Sequence, residues 1–135
     1  MPIEDFAEFL AEKVPGGKVV EIGIGFQFSV ALRLKELGYD VLAIDWNPKS
    51  VERARELGIN AVRDDVFNPR LGLYEDANAI YSVRPTPEIV RPILNLGRRL
   101  NVPVYILPPL SGDTVPRTMR LVNHRGLAIY TAKPI

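Results

Sequence analysis

Lys18-Val19-Val20-Glu21-Ile22-Gly23-Ile24-Gly25 is the stretch on which the fold of this chain turns. A short, mostly apolar run, with Val19, Val20 and Ile22, that ends in Gly23-Ile24-Gly25 predicts a buried strand followed by a tight turn. The pattern then changes period. Between Phe26 and Leu37, the residues Val30, Leu34 and Leu37 fall on one helical face, and Gly38 stands where a helix C-cap belongs.

The same alternation continues downstream. Asp40 to Asp45 reads as a second buried strand, and Asn47-Pro48 opens a helix, with Asn47 as N-cap and Pro48 at the first helical position. That helix turns Val51, Ala54 and Leu57 inward and stops at Gly58. Arg33-Leu34-Lys35-Glu36-Leu37-Gly38 is echoed twenty positions later by Arg53-Ala54-Arg55-Glu56-Leu57-Gly58, and the same offset carries Asp45 onto Asp65. Each copy fits one helix-to-strand return. Asn60 to Arg63 is a short third strand near a sheet edge, and residues 66–76 form a loop with one helical turn. Ala77 to Tyr81 is a fourth strand. Thr86-Pro87-Glu88 starts a helix that turns Ile89, Ile93, Leu96 and Leu100 inward, with Pro92 expected to kink it or delay its regular part. Val102 to Leu107 is the fifth strand. Thr118–Asn123 and Leu127–Ala132, separated by Arg125-Gly126, form a β-hairpin, and Ile3, Phe6, Phe9 or Leu10 and Val14 mark an N-terminal amphipathic helix. Strands alternating with helices in this way predict an α/β domain over residues 1–135. Its Rossmann-like, doubly wound, mostly parallel sheet has the order 3-2-1-4-5, with the antiparallel hairpin at the strand-five edge.

Composition narrows the chemistry. With no cysteine, the chain has no disulfide framework, thiol nucleophile or thiolate-held zinc, and its one histidine, His124, rules out a multi-histidine metal centre. His124 has no second candidate for a triad and is expected to be structural. Seventeen basic and sixteen acidic residues leave a net charge of +1, without the basic excess or stripe that marks a nucleic-acid partner. No apolar run is long enough to span a membrane. The first residues lack the basic-then-apolar pattern of a signal peptide, so a cytoplasmic location is expected.

Three places carry ligand chemistry. A strand ending in Gly23 and Gly25 lets backbone approach a ligand closely, and the following helix N-terminus adds amide donors. Phe28 stands where dinucleotide enzymes place a third glycine, which argues against NAD. Glu21, two residues before the first glycine, suits a ligand with a cationic group such as the ammonium of S-adenosylmethionine. Asp45 ends the second strand, where a carboxylate can accept both ribose hydroxyl protons, and the ring of Trp46 can pack on an adenine face. In Asp64-Asp65, one carboxylate can accept the adenine amine; the alternative is a solvated pair.

In this order these features resemble the class I S-adenosylmethionine-dependent methyltransferases over roughly residues 17–107. Glu21-Ile22-Gly23-Ile24-Gly25 is similar to their glycine-rich first motif, Asp45 to their ribose-binding acid and Asp65 to their adenine-side acid. The whole chain resembles more closely a family of short, uncharacterised archaeal proteins with a methyltransferase-like fold, which implies a fold and no activity. The Asp/Asn-Pro-Pro-Tyr of amino-methylating members is replaced here by Tyr81-Ser82-Val83-Arg84-Pro85-Thr86-Pro87. The expectation is therefore a protein that binds S-adenosylmethionine and methylates an unnamed acceptor. Ser82 and Arg84 would face that acceptor, with Ser111 and Asp113 across the cleft. The rival is a non-catalytic sensor or partner subunit that keeps the pocket, and an NAD-dependent enzyme ranks third. A homodimer is left open.

Overall fold

The structure, a computed structural model, describes residues 3–109 and 116–133. The chain runs α1 (Asp5–Lys13), β1 (Lys18–Ile22), α2 (Ser29–Glu36), β2 (Asp40–Asp45), α3 (Pro48–Glu56) and β3 (Asn60–Arg63). A 3-10 turn (Leu71–Tyr74) leads to β4 (Ala77–Val83), α4 (Pro87–Leu100), β5 (Val104–Leu107), β6 (Arg120–His124) and β7 (Leu127–Ala132). The sheet has seven strands in the order β3-β2-β1-β4-β5-β7-β6. β1 lies parallel to both β2 and β4, while β7 is antiparallel to β5 and β6. This is the expected doubly wound order with the hairpin at the β5 edge, and it puts β1 and β4 side by side where the winding reverses.

Two apolar layers cover the sheet. On one face, Phe6, Phe9 and Leu10 of α1, Val30 and Leu34 of α2, and Val51 and Ala54 of α3 pack on Val19, Val41, Tyr81 and Tyr105. On the other, Val90, Ile93 and Leu96 of α4, with Tyr74, pack on Val20, Ile22, Ile80 and Ile106. Burial at about 25 cal/mol per Å² of apolar surface is the main force holding these layers together. α4 lies so close to the sheet that a Cβ added at Gly97 would collide with Val104 Cγ2.

Local boundaries shift in instructive ways. α2 begins at Ser29 rather than at Phe26, because Gln27 N–H donates to the Ile24 carbonyl and closes a turn first. β4 extends two residues past Tyr81, to Val83. β5 starts at Val104, since Val102 N–H is taken up by Gly97 O at the end of α4. α4 continues through Pro92. The twin hexapeptides both end helices, each with an Arg–Glu ion pair one turn apart, Arg33–Glu36 at 3.2 Å and Arg53–Glu56 at 3.7 Å. Asn47 caps α3 by accepting Lys49 N–H at 2.9 Å. Among the described residues no helix is long and apolar enough to cross a membrane.

Candidate functional site

A cleft of about 550 Å³ opens at the C-terminal ends of β1, β2 and β4, where the winding reverses. Gly23, Gly25, Asp45, Trp46, Asp65 and Arg84 all line it. Three hollows of similar volume lie elsewhere, one against α4 near Arg98 and Arg99, one at the opposite sheet edge near Lys18 and Asp40, and one along α3 near Glu52 and Arg63. None gathers this set of glycines and carboxylates, so the residues rather than the volume select the site.

The glycine turn is braced from β2 and α3. Gly23 and Gly25 have φ of 72° and 55°, a left-handed backbone that residues with a Cβ adopt only under strain. Gly23 N–H donates to the Ile44 carbonyl at 2.8 Å, and Gly25 N–H donates to Asp45 Oδ2 at 2.7 Å. The buried Ser50 hydroxyl, on α3, donates to the Gly25 carbonyl. Asp45 Oδ1 accepts Asn47 N–H at 2.9 Å. The carboxylate thus sets the turn while each oxygen keeps acceptor capacity for a ligand. A Cβ built on Gly25 would meet nothing within 4 Å, so open space adjoins the turn.

Trp46 is 59% exposed at the rim of the cleft. The Arg63 guanidinium lies 3.9 Å from its ring centroid, and Arg63 Nε donates to the Trp46 carbonyl at 2.7 Å, so one ring face is held by a cation. The paired aspartates divide their work. Asp64 is buried and ties down the following loop, accepting the Tyr74 hydroxyl at 2.7 Å and Arg70 Nε at 3.0 Å. Burial, with Asp64 alongside, pushes the Tyr74 hydroxyl above its ordinary pKa. Asp65 is half-exposed, and its carboxylate accepts only Phe67 N–H, at 2.9 Å, of the described groups.

Two expected site residues sit outside the cleft wall. Side chains alternate along β1, so Glu21 falls on the Val19 face, under α1 and α2, while Ile22 faces the other side. Its carboxyl is fully buried, and neither it nor the nearby Tyr81 hydroxyl makes a hydrogen bond of ordinary geometry among the described residues. Burial pushes its pKa from 4.5 up to about 8; the Tyr81 hydroxyl draws it partly back and Asp45 adds a further rise. The contact with a ligand ammonium expected of Glu21 is therefore not made from the wall of this cleft. Ser82 is also buried, and its hydroxyl donates to the Ile22 carbonyl at 2.7 Å, linking β4 to β1. Ser111 and Asp113 lie outside the described residues. His124 packs edge-on to Phe9 with ring centroids 5.3 Å apart, at the α1 face.

The model of the family described as Uncharacterised protein family (UPF0146) matches residues 3–133. The chain belongs to this family. A UPF0146 protein of Pyrococcus horikoshii is 50% identical over 130 residues, covering 96% of this chain and 98% of that protein. One of Methanocaldococcus jannaschii is 39% identical, covering 95% and 92%. Members of the family thus share this chain's length as well as its sequence. Among solved structures, an RNA methyltransferase of Salinibacter ruber in complex with S-adenosyl-L-homocysteine superposes with a TM-score of 0.69 at 16% identity, over 99% of this chain and 93% of that one. A TehB-like SAM-dependent methyltransferase of Corynebacterium glutamicum gives 0.65 at 19% identity, over 96% and 88%. At these identities the likeness is one of fold.

Proposed function

We propose that this chain binds S-adenosylmethionine in the β1–β2–β4 cleft and donates its methyl group to an acceptor held near Arg84. The observation that carries the reading is Asp45, fixed between Gly25 and Asn47 with acceptor capacity turned into a cleft lined also by Trp46 and Asp65. The residues present fit such a ligand. Asp45 would take the ribose hydroxyls, Trp46 would cover the adenine and Asp65 would accept its amine, while Gly23 and Gly25 let the backbone close on the rest. Bound there, S-adenosylmethionine supplies an electrophilic methyl on a sulfonium, whose transfer leaves a neutral thioether. The chain's part is positioning, which by itself removes much of the barrier to a bimolecular displacement. With Ser82 engaged by Ile22, the wall beside Arg84, formed by Pro85 and Thr86, supplies no general base to the acceptor, which would arrive already ionised or be intrinsically nucleophilic. The complex named for the Salinibacter ruber protein supports the choice of ligand.

The same missing base favours a second reading, a sensor or partner subunit that binds the ligand without turnover. Isothermal titration with S-adenosylmethionine, S-adenosylhomocysteine and NAD tests the cofactor. The expected result is binding of the first two at micromolar concentration and none of NAD. Preference for NAD, or binding of none, overturns the proposal. Binding without methylation of any component of a cell extract selects the sensor.

A further inference from the structure

A second cavity, about 250 Å³, opens beside the cleft at the same sheet edge. β7 runs antiparallel to β5 with Val104 opposite Ala132 and Ile106 opposite Tyr130. Leu127 and Ala128, at the start of β7, therefore overhang the C-terminal end of β5. Leu107, Pro108, Leu127, Ala128 and Tyr130 give the cavity an apolar wall, and Arg84 is the one ionic group among its described residues. Arg84 is also the one residue shared with the wall of the large cleft.

Two further facts bear on Arg84. Its φ is 50°, a left-handed conformation that a non-glycine residue keeps only where its surroundings impose it. The constraint is visible: Arg84 N–H donates to the Leu107 carbonyl at 2.6 Å, which pins the residue where β4 and β5 end. The guanidinium nevertheless enters no ion pair among the described residues, although Glu88 and Glu75 are near in sequence. A strained backbone that delivers a cation unpaired among the described residues to the junction of two cavities is suited to holding an anion there.

We propose that this second cavity is the acceptor site, and that it takes a small molecule with an apolar single-ring body and one anionic head, a carboxylate or phosphate monoester, paired with Arg84. The volume lies just below the range usual for drug-sized ligands, and the aliphatic and aromatic walls leave recognition of polarity to that one charge. Its role as an acceptor site rests on the methyltransferase reading. The binding itself does not, so the two are separable.

The test is a titration of the full chain, followed by amide NMR shifts, with benzoate, phenyl phosphate and neutral benzamide at fixed ionic strength. At least one of the two anions is expected to shift the amides of Arg84, Gly126 and Ala128 saturably in the low millimolar range, with benzamide at least tenfold weaker. Arg84→Gln should weaken the anion at least tenfold and remove its advantage over benzamide. Ala128→Trp, at an exposed position, should fill the cavity and block the anion while leaving S-adenosylhomocysteine affinity within twofold. Absence of saturable shifts, equal binding of benzamide, or an Arg84→Gln variant that binds like the wild type overturns the proposal. Should the anions bind where S-adenosylhomocysteine does not, the cofactor reading fails and the cavity stands; the converse result removes the cavity alone.

Discussion

Replacing Glu21 by Gln isolates the most unusual electrostatic feature of the molecule. The Glu21 carboxyl is fully buried with no hydrogen bond of ordinary geometry among the described residues, and burial holds its pKa at about 8 against 4.5 for the ordinary group. A folded-state pKa above the unfolded value means that the native chain binds the proton more tightly. The stabilisation is complete below about pH 4.5 and is lost as the pH climbs through about 8. At about 1.4 kcal/mol for each pH unit, the loss amounts to roughly 3 kcal/mol by pH 7 and roughly 5 kcal/mol above pH 8.5. Gln matches the protonated acid in shape and does not titrate. Glu21→Gln should therefore be close to neutral at pH 4.5 and progressively stabilising towards pH 9. Guanidinium unfolding followed by circular dichroism, with both proteins measured at each pH, reads the difference directly, since every other titration cancels. Parallel stability profiles for the two proteins would refute the reasoning and place an unseen partner, or water, at the carboxyl.

Three other perturbations have defined outcomes. Asp45→Ala should weaken S-adenosylhomocysteine binding by about 1–3 kcal/mol, because ligand hydroxyls lose their acceptor; unchanged calorimetric affinity in a folded variant removes Asp45 from the site. Gly97→Ala should destabilise the fold by about 1–3 kcal/mol through overpacking against Val104, read as a lower denaturation midpoint. Tyr74→Phe should cost about 1–3 kcal/mol by leaving buried Asp64 short of a donor. Greater protease sensitivity of the 64–74 loop would accompany that loss, and a midpoint equal to wild type would show that the hydrogen bond does not hold the loop.

The sequence by itself determined the sheet order, the strand–glycine–helix turn at the winding reversal and the carboxylates at the ends of β2 and β3. The order follows from strand–helix alternation with right-handed crossovers, and the rest from short-range causes: period, capping residues and the backbone freedom of Gly23 and Gly25. Asp45 was legible because it is the last residue of β2, and a strand's C-terminal end fixes where its last side chain goes. Only the tertiary structure decided the face of Glu21. β1 is apolar on both sides, so its alternation offers no contrast from which to tell the α1 face from the α4 face. It likewise separated Asp64 from Asp65, since Tyr74 and Arg70 arrive from a loop whose path no local pattern encodes. Ser50 and Ser82 gained their roles from carbonyls 25 and 60 residues away. The second cavity exists only because β7 folds back beyond the end of β5 and meets Arg84, a contact between residues more than forty positions apart that no periodicity foretells.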